Sequence, residues 1–225
     1  MGQAIGQMLP TAVGVAVSPF PIVAMVLILA TPRGRVNGPA FIGGWWLGLA
    51  IVGAITLSFA GGASGGESGA PPNWVNWLKL VLGLLLFAVA ARQWQSRPRE
   101  GEDAAMPKWM GALDSFSPVK AAGAGVVLSG LNPKNLLLAV AGAVAIAQAG
   151  ISTGQQVAAY VVFVAIASIG VAAPLGIYFA LGERSQQILE AMKNWLARNN
   201  AVIMAVLLLV IGVKLIGDAI SGFSA

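Results

Sequence analysis

Two short stretches of this chain hold its chemically unusual residues, and both set proline beside polar groups inside long apolar runs. Ser18-Pro19-Phe20-Pro21 interrupts one run, and Leu131-Asn132-Pro133-Lys134-Asn135 interrupts another, each near its middle. Proline removes a backbone donor and collides with the preceding turn, so each stretch reads as a helix break. A break frees main-chain carbonyls and exposes the positive end of a half-helix. With one ammonium, that of Lys134, these are means of holding an anionic group. They do not make or cleave bonds.

The rest of the chain points the same way. It contains no His and no Cys, so the commonest general base, proton shuttle and thiolate metal ligand are all missing. It shows no phosphate-binding loop, no nucleophile–base pair and no haem or metal motif. No carboxylates lie at membrane depth for a divalent cation. An enzyme is not expected, and neither a cofactor nor a resident metal is implied.

Lys134 is the sharpest single residue. A charge at the bilayer centre costs ~2.5–3.5 kcal/mol on insertion scales, and Lys134 lies too deep in its run to snorkel easily. No Asp or Glu falls in the middle of any apolar run. Two readings follow: Lys134 meets an anionic group of a cargo, or it bonds to carbonyls freed by the other break and holds the fold. Thr11, Ser18, Ser129 and Asn132 either line a polar path or bond to backbone. Lys214 and Asp218, spaced i,i+4, are expected to pair, Lys79 to snorkel, Pro174 to kink its helix, and Gly43, Gly44 and Gly48 to serve close packing.

The elements that must position these residues are membrane helices. Of 225 residues, 57% are hydrophobic and only 9% charged, against roughly 25% charged in a soluble domain. So few charges cannot cover a water-exposed surface. Six runs approach the roughly 20 apolar residues a span requires: about 3–30, 36–61, 74–94, 118–148, 153–181 and 200–220. The net charge of +5 sits in the loops between them, so topology explains it and nucleic acid is not an expected partner. A cleaved signal peptide is not expected either, because no Lys or Arg precedes Arg33.

Basic loops stay in the cytoplasm. Arg33 and Arg35 follow the first span; Arg97, Arg99 and Lys108 follow the third, flanked by Arg92 and Lys120; Arg184, Lys193 and Arg198 follow the fifth. The loops 61–73 and 149–152 carry no basic residue. A multi-pass inner-membrane protein with both termini outside is therefore expected. Trp45, Trp46, Trp74, Trp77 and Trp94 fit membrane–water boundaries, and the glycine-rich stretch 61–66 reads as an outer loop. The amphipathic stretch 184–198 is expected either to lie in the inner interface or to extend the fifth span.

The breaks correspond in position. Each lies in the first helix of a three-helix half, and an odd count inverts the second half. The expected fold is thus an all-α integral membrane protein of six transmembrane helices, a 3+3 inverted-topology repeat with broken first and fourth helices. Residues 1–95 form the first repeat, 96–117 a cytoplasmic loop and 118–225 the second repeat. Paired broken helices mark a midplane site in such transporters, here Ser18, Pro19, Phe20 and Pro21 with Asn132, Pro133, Lys134 and Asn135.

At these residues the chain resembles the LysE-type exporter superfamily, and within it the actinobacterial glycolipid-addressing group called GAP or Sap. The stretches that carry the likeness are Ala16-Val17-Ser18-Pro19-Phe20-Pro21-Ile22, Thr31-Pro32-Arg33-Gly34-Arg35-Val36-Asn37-Gly38, Phe41-Ile42-Gly43-Gly44-Trp45 and Leu131-Asn132-Pro133-Lys134-Asn135-Leu136. The resemblance implies a protein that helps an envelope glycolipid, or a lipid precursor, reach the cell surface beside a larger lipid transporter of the resistance–nodulation–division type. Amino-acid exporters of the superfamily have a Pro-Gly-Pro break, and Phe20 stands where that glycine would be. Export of a small amino-acid-like solute and a non-transporting accessory role are the rival expectations. Glycine-rich helix faces permit a homodimer.

Overall fold

The computed structural model describes residues 1–62, 73–96 and 116–224. These residues form helices throughout, with no strand among them. Backbone polar groups in lipid must be satisfied within the chain, and a helix does this locally. In chain order the helices are α1 (Gly2–Ala16), α2 (Pro19–Ala30), α3 (Gly34–Gly62), α4 (Asn73–Gln95), α5 (Pro118–Val126), α6 (Pro133–Ala147), α7 (Thr153–Leu181) and α8 (Ser185–Phe223). A π-turn, Val127–Leu131, joins α5 to the second break, and a 3-10 turn, Gly182–Arg184, joins α7 to α8.

Three segments are long and apolar enough to cross a bilayer: Gly34–Ala60, Asn73–Gln95 and Thr153–Phe223. Two bent pairs, Gly2–Ala16 with Pro19–Ala30 and Pro118–Leu131 with Pro133–Ala147, raise the number to five if each pair is one span. The chain is therefore an all-helical membrane protein with three to five spans by length and apolarity. The segment Thr153–Phe223 is itself interrupted, because Gly182 takes φ 54° and ends α7. A side chain rarely adopts that conformation, and glycine is the usual residue at such a stop.

Glycine governs how the helices cross. Gly44 of α3 lies against the main chain of Ala122, Gly48 lies against Ser129, and Gly125 of α5 lies against Phe41 and Trp45. A Cβ on any of these would collide, so α3 and α5 run side by side at backbone contact. Gly83 and Gly212 do the same for α4 and α8: a Cβ on either would stand 3.0 Å from the other's carbonyl oxygen. Gly170 of α7 rests on the carbonyl of Ala16, at the end of α1.

Several expectations need correction. Gly43 faces open space and packs against nothing. Trp45 does not face outward as a boundary tryptophan would but is fully buried, stacked on Phe41 at 6.4 Å between centroids. Its neighbours explain this, since the glycine crossing with α5 leaves a deep slot on that face. Trp46, Trp74, Trp77 and Trp94 remain exposed. The amphipathic stretch extends neither into a separate interfacial helix nor from α7; Ser185–Phe223 is one helix continuous with the last apolar run. Leu189 and Leu196 are buried, Met192 is half-buried, and Ile188 and Trp195 face outward. α7 continues unbroken through the buried Pro174. The glycine-rich loop and most of the basic 96–117 loop lie outside the described residues.

Candidate functional site

The two breaks have one local geometry. Ser18 stands before α2 with φ −71° and ψ 106°, and Asn132 before α6 with φ −64° and ψ 118°. Each residue is extended and is followed by a proline at the first helical position, where a missing N–H costs nothing and the fixed φ suits the helix. The helices bend by 48° at the first break and 61° at the second. Apart from proline the two motifs share little sequence, so this likeness is visible only in the backbone.

The breaks also lie at one level along the packed pair of α1 and α6. A Cβ on Gly14 would stand 3.0 Å from Leu138 Cδ1, and one on Gly142 would stand 2.9 Å from Thr11 Oγ1. Moving from Thr11 to Gly14 along α1 thus moves from Gly142 to Leu138 along α6, so the helices are antiparallel. Four residues further, about one turn, the register reaches Ser18 on one side and Lys134 on the other. Two half-helices, α2 and α6, therefore begin at the same level, each presenting its positive end there.

The second break holds its own backbone. Asn132 accepts through Oδ1 from Lys134 N at 3.1 Å and so caps α6. Asn135, fully buried, donates through Nδ2 to the carbonyl of Leu128 at 2.8 Å. The π-turn and Pro133 take that carbonyl out of regular helix bonding, and Asn135 replaces the lost donor. Ser129 donates to Val126 O at 3.2 Å and Thr11 to Met8 O at 2.7 Å. Both side chains therefore bond to backbone of their own helix.

Lys134 stands apart. Its Nζ is buried and has no hydrogen-bond partner among the described residues. The reading in which Lys134 bonds to carbonyls freed by the first break does not match this geometry, because its Nζ meets no acceptor among the described residues. The Asn135 Oδ1 and the Trp45 Nε1 are likewise buried without a partner. At the first break Ser18, Pro19 and Pro21 are buried, while Phe20 is half-buried and packs against the apolar core. Pro133 is exposed. The arrangement supplies a buried lysine amine and two helix N-termini at one level, with no acid–base pair among the described residues.

Away from the breaks, Lys214 and Asp218 pair at 2.6 Å, as their spacing implies. Lys79 of α4 is half-buried and feels both charges, so it belongs to a small charged cluster between α4 and α8. The sequence reading missed Gly170, whose contact with the first break had no motif to announce it. Arg35, which the sequence offers as a topological marker and as part of a family-like stretch, lines a cavity of about 790 Å³ with α2, α7 and α8.

With this geometry in place, comparison with known families gives a match over most of the chain. The model of the SfLAP family, described as "Sap, sulfolipid-1-addressing protein", matches residues 8–221. No curated protein matches the chain, and no solved structure does.

Proposed function

The chain belongs to the SfLAP family of sulfolipid-1-addressing proteins, and from that membership we propose that it exports an anionic glycolipid or lipid precursor across the inner membrane. The observation that carries the proposal is the Lys134 ammonium, buried without a partner at a level where two half-helices begin. A cargo's anionic group would complete it. An amphiphile needs a polar notch for its headgroup beside apolar walls for its chains, and a proline break inside a membrane helix is such a notch.

In this reading each bent pair is one span, and Thr153–Phe223 folds as two. Its 71 residues would extend roughly 100 Å as one helix, three times the ~30 Å hydrocarbon core. The protein then has six spans, with α1 and α2, α3 and α4 in one half and α5 and α6, α7 and α8 in the other. The packing supports an inverted repeat. α3 packs on α5 and α6 as α7 packs on α1 and α2; α2 meets α3 and α8 as α6 meets α7 and α4.

The closest pairing without a counterpart is that of α1 with α6, since no comparable packing joins α2 to α5; the slighter contacts of α8 with α1 and α7 are not mirrored between α4 and α5 or α3 either. In an alternating-access carrier such asymmetry marks one side as shut and the other as open. Here the open side carries Arg33, Arg35 and Lys120, which the positive-inside rule places in the cytoplasm, and the cargo would load there. The placement in the LysE-type superfamily, export without enzymatic chemistry, and work beside a larger lipid transporter or as a homodimer belong to the same proposal.

The test is transport by the purified chain in liposomes, with an anionic glycolipid and a neutral one as cargo. Lys134→Ala and Lys134→Glu should abolish movement of the anionic lipid, and both proteins should remain folded in the membrane. Undiminished transport by Lys134→Ala would remove the residue from the mechanism. Transport that requires an added partner would assign the chain an accessory role.

A further inference from the structure

A cavity lies apart from the breaks, where α2 and α7 finish and α8 starts. It measures about 790 Å³, within the roughly 300–1,000 Å³ typical of ligand pockets. Leu27 and Leu29 of α2, Phe179 of α7 and Leu189 of α8 give it apolar walls, and four charged residues line its mouth: Arg35, Glu183, Glu190 and Lys193. Glu190 and Lys193 face each other at 3.7 Å. Arg35 and Glu183 form no ion pair with any described residue. The mouth thus offers one uncommitted cation and one uncommitted carboxylate above an apolar recess.

We infer that this cavity binds one zwitterionic glycerophospholipid, its phosphate at Arg35, its ammonium at Glu183 and its acyl chain between α2, α7 and α8. The charge pattern selects this occupant. A purely anionic headgroup would leave Glu183 facing like charge, and an uncharged one would leave both groups unanswered. Apolar walls set the ligand apart from a soluble zwitterion, which would gain nothing from them. This site goes beyond the proposed export and does not rest on it, because Lys134 takes no part.

Native mass spectrometry of the full chain in detergent tests it, with dioleoyl phosphatidylethanolamine, dioleoyl phosphatidic acid and uncharged diolein titrated separately. Phosphatidylethanolamine should be retained as one molecule and about tenfold more tightly than diolein, the factor expected of a charge-assisted hydrogen bond. Arg35→Gln and Glu183→Gln should each remove most of that preference. Ala30→Trp, which puts an indole into the cavity from an exposed position, should block binding of all three lipids. Lys134→Ala should leave phosphatidylethanolamine binding unchanged, so a failure of the export reading would not disturb this result. Soluble phosphoethanolamine at equal concentration should not compete. Equal retention of the three lipids would overturn the inference, as would tighter binding of phosphatidic acid that Glu183→Gln leaves intact.

Discussion

Asn135 reaches back across the second break to Leu128, its side-chain amide 2.8 Å from the carbonyl oxygen. The bond spans seven residues and ties the start of α6 to the π-turn before it. In the middle of a membrane protein no bulk water can replace it. Asn135→Ala should therefore destabilise the chain by about 1–3 kcal/mol, the usual cost of a buried acceptor left unsatisfied. Thermal unfolding in detergent, followed by circular dichroism, measures this. An unchanged midpoint would mean that an internal water serves Leu128.

The glycine contacts separate two kinds of position. Gly48 lies against Ser129 at the second break, and Gly170 lies against Ala16 at the first. Gly48→Val and Gly170→Val must push helices apart, with an expected loss of about 1–3 kcal/mol or more for each. Gly43 and Gly176 face open space. Gly43→Ala and Gly176→Ala should be neutral or stabilising by up to ~1 kcal/mol, because alanine is the better helix former. The same unfolding assay reads all four. Similar losses in both groups would contradict the packing described here.

The breaks were legible in the sequence because proline's chemistry leaves one reading inside an apolar run. α7 was legible too, from Thr153 to Leu181, since Ser152 and Gln155 form a capping box and Gly182 stops the helix. Trp45 was not, because its residue type favours a boundary and only the crossing of α3 with α5 puts it inside. The stretch 185–198 was misplaced for a related reason. Its polar residues look like a loop or surface helix, yet nothing in them interrupts helical bonding, so the chain runs on into the last span. Lys134 and Asn135 were both recognisable at the second break, but the structural task of Asn135 was not, because its partner is a carbonyl that no motif marks.

The pair of Lys214 and Asp218 should contribute little. Their side chains are 30% and 39% exposed, and ion pairs of that exposure are typically worth ~0.2–1 kcal/mol. A double-mutant cycle of Lys214→Met and Asp218→Asn should give a coupling in that range. Lys79 adds a second cation beside the same carboxylate, so Asp218→Asn alone should cost more than Lys214→Met, because it leaves two like charges without their counter-charge. The reverse order would show that Lys79 does not share the aspartate.

Topology is the prediction on which the repeat depends, and the chain is suited to the test because it has no Cys. Single cysteines at Gly2, Gly150 and Ser224 should react with a membrane-impermeant maleimide added outside intact spheroplasts. Single cysteines at Arg33 and Ser96 should react only after the membrane is opened. Gly150 lies between α6 and α7, Ser96 follows α4, and Arg33 lies between α2 and α3, so the five positions bracket each bent pair singly and the remaining spans two at a time. Three crossings separate Gly2 from Ser96, and three more separate Ser96 from Ser224. An odd number in each half is what turns the second half upside down and lets both proline breaks meet at one depth. Labelling of Gly2 and Arg33 from the same side would mean that α1 and α2 enter the bilayer and return without crossing. The first break would then line a re-entrant loop, the halves would no longer be related by inversion, and a shared midplane site would lose its structural basis.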